Sequence, residues 1–246
     1  MEHASLVIDQ SRNPYWNLAV EEALLESVCR GYRRRVVRVW INRESVVIGR
    51  GLKACEEVNC REAERLGIPI VRRTSGGGAV YHDGGNLNIT LIEGTQGRIG
   101  VDEAYRRGLG LVVSALRIMG LEPWIENGND VVVAGWKVSG TAVHVKACAY
   151  LFHSTMLVES DMDTLKRVIK PRMDRVLRGE VTPAKYNPGN LSDIAGVTLG
   201  DAISSVLQAA TRKWILEPQG LERWELEYST KLYKEKYTSA EWNLRG

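Results

Sequence analysis

Three consecutive glycines, Gly76-Gly77-Gly78, interrupt the stretch RRTSGGGAVYHD (72–83). Ordering glycine gives up more backbone freedom than ordering any other residue. A β-turn needs one or two glycines; three after the strand-like run IPIVRR (68–73) suit a place where backbone must lie close to a ligand. Arg72 and Arg73 supply fork-shaped donors matched to phosphate or carboxylate. Glycine amides beside guanidinium groups therefore read as an anion cradle, and Asp83 nearby could hold a hydrated Mg²⁺ through its carboxylate. The two common nucleotide fingerprints are absent: no GxxxxGK[ST] occurs, and Gly49-Arg50-Gly51 and Gly108-Leu109-Gly110 both fail at the third glycine of GxGxxG.

Periodicity around this element predicts an α+β domain. Asn13-Pro14 caps and opens a helix with Leu18, Leu24, Leu25 and Val28 on one side, stopped at Gly31. VVRVWI (36–41) and SVVIG (45–49), separated by three residues, predict a hairpin. A short helix ends at Gly67, NLNITLIE (86–93) reads as a strand, and Leu109, Val112, Val113 and Leu116 repeat at helical spacing within 102–119. Two β-branched arms surround Ala134-Gly135, a further strand covers 149–158, and helices are predicted at 199–214 and 225–236. Strands in hairpin pairs interspersed with helices favour a mixed sheet over a doubly wound parallel one. No internal repeat or linker divides the 246 residues, so 1–246 is read as a single catalytic-sized domain.

Composition excludes several classes. With 44% apolar and 26% charged residues and a mean hydropathy of −0.21, the chain is expected to fold rather than stay disordered. No apolar run approaches the roughly 18–20 residues of a membrane span, and the N-terminus lacks a signal-peptide pattern, so a cytoplasmic protein is expected. Four cysteines without CxxC pairing are expected to be reduced thiols, with a Cys55–Cys60 bridge as the alternative. A net charge of +3 is modest, but five arginines crowd into 30–38. That run reads either as a solvated loop or as a docking patch for an anionic partner.

The second element that carries chemistry is NDVVVAGWKVSGTA (129–142). The Ala134-Gly135 turn sets Lys137 at the start of a strand, where alternation places it on the face of Ser139 and Thr141. An edge-strand lysine that discourages aggregation is the bland reading; Gly140, which leaves room beside the lysine, speaks for a functional one.

RRTSGGGAVYHDGGNLNIT, followed by NDVVVAGWKVSGTA and then FHSTML, resembles the catalytic domain of lipoate-protein ligase A, within the biotin/lipoate ligase and octanoyltransferase superfamily. NLAVEEALL, VWINRESVVIGRG and YTSAEWN extend the resemblance over most of the chain. It implies that superfamily's fold, mixed sheets flanked by helices and similar to class II aminoacyl-tRNA synthetases. It also implies a two-step reaction: lipoate and ATP, with Mg²⁺, give lipoyl-AMP, and the lipoyl group then passes to a lysine of a carrier domain, a 2-oxoacid dehydrogenase E2 subunit or the glycine cleavage H protein. On this resemblance Lys137 serves the phosphate and acyl carboxyl oxygens, and Arg73 with Arg72 serves the lipoate carboxyl and phosphate groups. Ser75, Gly76, Gly77, Gly78, Ala79 and Val80 would line the adenylate and acyl chain. Tyr81, His82 and Asn86 would shape the nucleotide pocket, with Mg²⁺ on Asp83. Asn129 and Asp130 would lie near the nucleotide, beside Gly140 and His153, and Trp40 with Val80 would wall an apolar slot for the dithiolane tail. Ser154 stands where the family usually has glycine after the histidine, a local departure.

Family members that act alone generally carry a further C-terminal domain, whereas this sequence stops soon after YTSAEWN; a separate accessory polypeptide is therefore expected for adenylation. The carrier, acidic in such families, is a candidate partner for Arg33 to Arg35. The rival readings are an octanoyltransferase working through a Cys148 thioester, a biotin ligase, and a non-catalytic module binding adenylate or nucleic acid. The glycine element differs from that of biotin ligases, and no helix-turn-helix segment precedes it, so neither nucleic acid nor membrane is expected as a partner. A zinc site at His144, Cys148 and His153 is disfavoured by spacing.

Overall fold

The Asn13 side chain accepts the backbone N–H groups of Tyr15 and Trp16, and Pro14 fills the first helical position, so helix α1 (Pro14–Cys29) begins where the sequence signals it. Gly31, at φ 78°, follows its end. The computed structural model describes residues 1–97, 99–170, 176–177, 179 and 185–244. Its elements are β1 (Glu2–Ile8), β2 (Arg35–Trp40), β3 (Ser45–Ile48), α2 (Ala54–Glu57), α3 (Cys60–Arg65), β4 (Ile70–Arg72), β5 (Val80–His82), β6 (Asn86–Gly94) and α4 (Val101–Ile118). There follow β7 (Pro123–Glu126), β8 (Asp130–Val133), β9 (Trp136–Val145), β10 (Ala149–Leu157), α5 (Met162–Val168), α6 (Leu191–Ala195) and α7 (Leu199–Thr211). The chain continues through β11 (Trp214–Pro218), α8 (Arg223–Leu232), a π-helical turn (Tyr233–Tyr237) and α9 (Ala240–Leu244).

Eight strands form a mixed sheet in the order β11-β1-β2-β6-β10-β9-β8-β7, and β4-β3-β5 form a small second sheet. The α+β expectation holds. The hairpin predicted from 36–41 and 45–49 does not form: β2 pairs with β1 and β6 in the large sheet, and β3 with β4 and β5 in the small one. Buried Asn42 sits at the crossing, accepting from Asn17 Nδ2 at 2.9 Å and meeting His82 Nδ1 at 3.0 Å. These bonds satisfy polar groups that would otherwise forbid a buried crossing.

Alternation decides which face meets what. Leu87, Ile89 and Leu91 of β6 pack with Tyr150 and Phe152 of β10 beneath α4 and α7. The opposite face is apolar only toward β1 and the α1 end, where Val36, Ile92 and Leu151 meet Leu24 and Leu25. Each such Leu or Ile stabilises the fold by about 1.5–3 kcal/mol relative to exposure. Farther along that face the residues become Asn86, Asn88 and Thr90, and the small sheet lies nearby on a separate core of Val46, Ile48, Ile68 and Tyr81. The C-terminal third departs from expectation. The helix predicted over 199–214 ends at Thr211, and Trp214 instead starts β11, parallel to β1. The helix predicted over 225–236 stops as an α-helix at Leu232 and widens into the π-turn.

Two further expectations are overturned. The cysteines are not reduced: Cys29 bridges Cys148, and Cys55 bridges Cys60, the pairing left open as the alternative. The arginine run is not a docking patch. Arg33 donates to both carboxylate oxygens of Glu225 with side chains 2% and 1% exposed, and Arg35 is nine-tenths buried against Glu93 and Glu2. Arg38 is fully buried on Asn17, leaving Arg30 and Arg34 exposed and paired with Glu26 and Glu2. These arginines fasten the sheet to its neighbours.

Removing one partner of a buried pair costs on the order of 3–5 kcal/mol, so Arg33→Glu should lower the melting temperature strongly while Arg34→Glu leaves it nearly unchanged in a calorimetric scan. The Cys29–Cys148 bridge spans 119 residues. Closing so long a loop stabilises by about 4–5 kcal/mol on chain-entropy grounds. Cys29→Ser should therefore melt on the order of 10 °C lower, and reductant should shift the parent but not the variant by that amount.

Candidate active site

Lys137 reaches the site through an irregularity that alternation does not foresee. Val131 pairs with Ser139 but Val132 with Lys137, so Val138 is an extra residue and β9 bulges there. A bulge re-aims the side chains beyond it. Lys137 consequently leaves the face of Ser139 and joins that of Asp130 and Gly140, with its Nζ 2.7 Å from Asp130 Oδ1. Its backbone N–H donates to Asn187 O at 2.8 Å and its carbonyl accepts from Gly189 at 3.1 Å, which rules out the edge-lysine reading. A methyl at Gly140 would touch Lys137 Cε at 3.6 Å, an ordinary contact, so Gly140 matters less than its sequence position suggests. Asn129 accepts Thr141 Oγ1 at 2.7 Å and fixes the neighbouring turn.

Across from Lys137 stands the glycine loop. Gly77 has φ 89°, and a Cβ there would lie 2.8 Å from Arg73 Nη2. Gly49 is the close-approach glycine, for its Cβ would run into the Gly77 carbonyl. A Cβ on Gly76 would meet open space, so the triplet is constrained by the loop's own fold at Gly77 and Gly49 rather than uniformly by ligand clearance. Arg73 holds the loop from inside: Nη2 donates to Gly76 O at 2.6 Å and Gly78 O at 2.9 Å, Nη1 to Val47 O, and Nε to Ser75 Oγ at 3.0 Å.

Arg72 faces away from any ligand. It is 1% exposed, and its guanidinium donates to the carbonyls of Gly49, Arg50, Leu52, Trp242 and Asn243. The expected substrate contact of Arg72 is thus replaced by a structural one. Strand alternation likewise divides β5, with Val80 packing toward Trp40 while Tyr81 turns into the core beneath the small sheet. Tyr81 borders a cavity of about 430 Å³ lined also by Arg43, Glu44, Asp83 and Asp161, away from Lys137. Ala79 is in that core too, its N–H bound to Glu57.

Asp83 does not fit the Mg²⁺ role. One carboxylate oxygen accepts Gly85 N–H at 2.9 Å and the other Asp161 N–H at 2.7 Å. Among the described residues no three His, Cys, Asp or Glu side chains are grouped to hold a metal, and Cys148 of the zinc reading is bonded to Cys29.

What the structure does assemble is a polar floor. Facing the loop are Asn86 and Asn88 of β6, with Thr90, and His153 and Thr155 of β10; His82 and Trp40 close one side, their rings 6.1 Å apart. Trp40, the expected slot wall, is 3% exposed and donates to Thr90 Oγ1 at 2.9 Å. Burial and the nearby Arg73 and His153 push His82 down to about 3, so its ring is neutral. With Nδ1 on Asn42, His82 Nε2 carries the proton and is buried without a partner, as are Asn86 Oδ1 and Asn88 Nδ2. Such groups each cost about 1–3 kcal/mol when left unpaired. A site lined with them is built to be completed by a polar ligand.

Glu21, Asn88 and Thr90 escaped the sequence reading. Glu21 accepts Thr90 Oγ1 and approaches His153 Nδ1 at 3.1 Å, while His153 Nε2 meets Ser75 Oγ at 2.7 Å. Burial alone would raise the Glu21 carboxyl; the His153 ring, the Thr90 hydroxyl and Arg38 together hold it below its ordinary value. The signal was present in NLNIT, where polar residues alternate on a strand buried on both faces.

A glycine loop braced by a buried arginine over a polar sheet face, with a lysine on the facing strand, defines an anion-handling ligase site. The sequence model of the lipoyl protein ligase A/B catalytic domain matches residues 13–211. A relative in Aeropyrum pernix, named for lipoate-protein ligase A, is 40% identical over 212 residues, 86% of this chain and 79% of its own. The chain superposes with a TM-score of 0.86 on the bi-partite lipoate protein ligase of Thermoplasma acidophilum, studied with its E2 lipoyl domain, at 26% identity over 99% of this chain and 97% of that one. A lipoate-protein ligase A bound with ATP gives 0.86 at 28% identity, covering 99% of each chain. The chain belongs to the lipoyl protein ligase A/B catalytic domain family, and it has the catalytic fold of the lipoate ligases.

Lys137→Met should lower acyl transfer from a preformed acyl-adenylate by on the order of 10² to 10³ in kcat while circular dichroism stays native. Gly77→Ala should instead raise the KM for the acyl-adenylate, because the added methyl displaces Arg73 from the loop carbonyls.

Proposed function

We propose that this chain converts lipoate and ATP to lipoyl-AMP and pyrophosphate and then passes the lipoyl group to a lysine of a carrier domain. The observation that carries the reading is the bulge-directed Lys137, ion-paired with Asp130 in the sheet that bears the unpaired Asn86 and Asn88 groups, with the unpaired His82 Nε2 on the neighbouring small sheet. Carboxylate attack on an α-phosphate brings two anions together, and a fixed lysine offsets that repulsion where charge develops. An arriving anion replaces Asp130 as the partner of Lys137. The ATP bound in one relative and the E2 lipoyl domain studied with another support the substrate and carrier assignments. ATP would bring its own Mg²⁺, and both Asp83 oxygens already accept backbone N–H groups.

Thioester transfer loses its nucleophile. Cys148 and the other three cysteines are all in disulfides. Among the described residues no helix is long and apolar enough to cross a membrane. The reading includes a single catalytic domain over 1–246 that needs a separate accessory polypeptide for adenylation, in line with the bi-partite relative matched over 97% of its chain.

Intact-mass analysis of a lipoyl domain incubated with this chain, lipoate and Mg²⁺, with either ATP or preformed lipoyl-AMP, tests this. Modification from lipoyl-AMP alone is the expected result. Modification with ATP removes the need for an accessory polypeptide, and modification by neither removes the ligase reading.

A further inference from the structure

The Glu21–His153–Ser75 chain is more organised than a substrate-lining role for His153 requires. Glu21, 4% exposed, accepts Thr90 Oγ1 and lies 3.1 Å from His153 Nδ1, which fixes the proton on that nitrogen. His153 Nε2 then faces Ser75 Oγ at 2.7 Å, and Arg73 Nε donates to the same oxygen at 3.0 Å. With Arg73 as its donor, Ser75 has its own proton free for His153. The chain ends beside the reacting centre: Gly77 lies over Ala142, which is paired with His153, and Gly140, beside Lys137, is paired with Thr155 two residues farther along β10. Two residues of strand are about 7 Å.

Transfer to a carrier lysine poses a problem that this chain answers. The ε-amino group, with an ordinary pKa of about 10.4, enters as an ammonium ion with no lone pair to attack with. Resting on the transfer reading above, we propose that His153, held by Glu21 and acting through Ser75, is the base that deprotonates the incoming lysine. The ammonium proton passes to Ser75 Oγ as the serine proton moves to His153 Nε2, and the resulting imidazolium is stabilised by the Glu21 carboxylate. The amine attacks the acyl carbon. The C–N bond forms, the acyl C–O bond to AMP breaks with its electron pair leaving on the phosphate, and that phosphate takes the second amine proton. Ser75 is the group that touches the incoming amine, His153 the base behind it, and Glu21 a positioning residue that sets the His153 tautomer.

Of the charged groups around His153, Glu21 from α1 touches it with Arg38 of β2 beside that carboxylate, and Arg73 of the glycine loop shares the Ser75 oxygen with it; the Lys137–Asp130 pair is on the adjoining strands, and His82 of β5 is neutral. Among these, Glu21 touches the ring nitrogen directly.

Single-turnover transfer from preformed lipoyl-AMP to a lipoyl domain, followed by mass spectrometry from pH 6 to 10, separates base catalysis from structural support. His153→Gln should transfer about 10²-fold more slowly near pH 7, and the gap should close to a few-fold near pH 10, where the lysine sheds its proton unaided. Glu21→Gln, which keeps size and shape, should slow transfer severalfold near pH 7 and leave it nearly unchanged near pH 10, because the imidazolium formed in the step loses its counter-charge. A deficit of equal size at every pH in both variants overturns the base assignment while leaving the ligase reading intact. A parent chain that never modifies the carrier overturns both. Should His153→Gln fail to fold, the pH dependence of the Glu21→Gln deficit decides alone.

Discussion

Two adjacent arginines hold the site together, and they do it through backbone carbonyls. Arg72 collects the carbonyls of Gly49, Arg50 and Leu52 on one side and those of Trp242 and Asn243 on the other. Arg73 collects Val47, Gly76 and Gly78. Hydrogen bonds from a charged donor are worth about 1.5–3 kcal/mol each, and a loop of three glycines has little other means of staying ordered. Because Gly49 sits against the Gly77 carbonyl, the loop braced by Arg73 also leans on the segment clamped by Arg72. The C-terminal segment, which also donates Trp242 Nε1 to Arg72 O, is thus part of the frame of the glycine loop.

That frame engages most of the fixed charge before any ligand arrives. Arg72 and Arg73 keep their charge but direct their donors to backbone carbonyls, Arg38 stays protonated although burial has pulled it down to about 10, and His82 is neutral. Lys137 is the cation on the facing strand, with its partner Asp130 beside it. A site arranged in this way binds an anion by exchange of partners and does not have to bury an uncompensated charge when empty, which would cost several kcal/mol. The unpaired amide and imidazole groups of Asn86, Asn88 and His82 do the rest of the recognition at lower cost.

The glycine loop, the Ala134-Gly135 turn and the lysine that follows it were legible because each rests on local backbone requirements that only a few residue types meet. The mixed sheet was legible from alternation and helical spacing. Other features were invisible for a common reason: they depend on what lies across space. No pattern within 129–142 distinguishes Val138 as the extra residue, since the bulge arises only when β9 registers against β8. Arg33 and Arg35 look like a solvated basic run until Glu225, 192 residues away from Arg33, is folded against it. Arg72 and Arg73 are identical as letters, and only strand geometry separates the clamp on the C-terminal segment from the brace of the loop. Glu21 looks like an ordinary helix-surface carboxylate because its partner Thr90 comes from another element.

The Cys29–Cys148 bridge acquires a reason once the site is in view. Cys29 ends α1, the helix that carries Glu21 eight positions earlier, roughly 12 Å along the axis. Cys148 immediately precedes β10, which carries His153 five positions later. The bridge ties together, with Cα atoms 5.1 Å apart, the two elements whose facing side chains meet at the Glu21–His153 contact. Between the tether and that contact, Leu24, Leu25 and Val28 pack on Ala149 and Leu151, so α1 and β10 are held at a covalent end, an apolar middle and a hydrogen-bonded tip. A hydrogen bond tolerates only a few tenths of an ångström before it weakens. Anchoring the helix and strand behind it is how this fold keeps a buried carboxylate and an imidazole in register, independently of the β8–β9 bulge that positions Lys137.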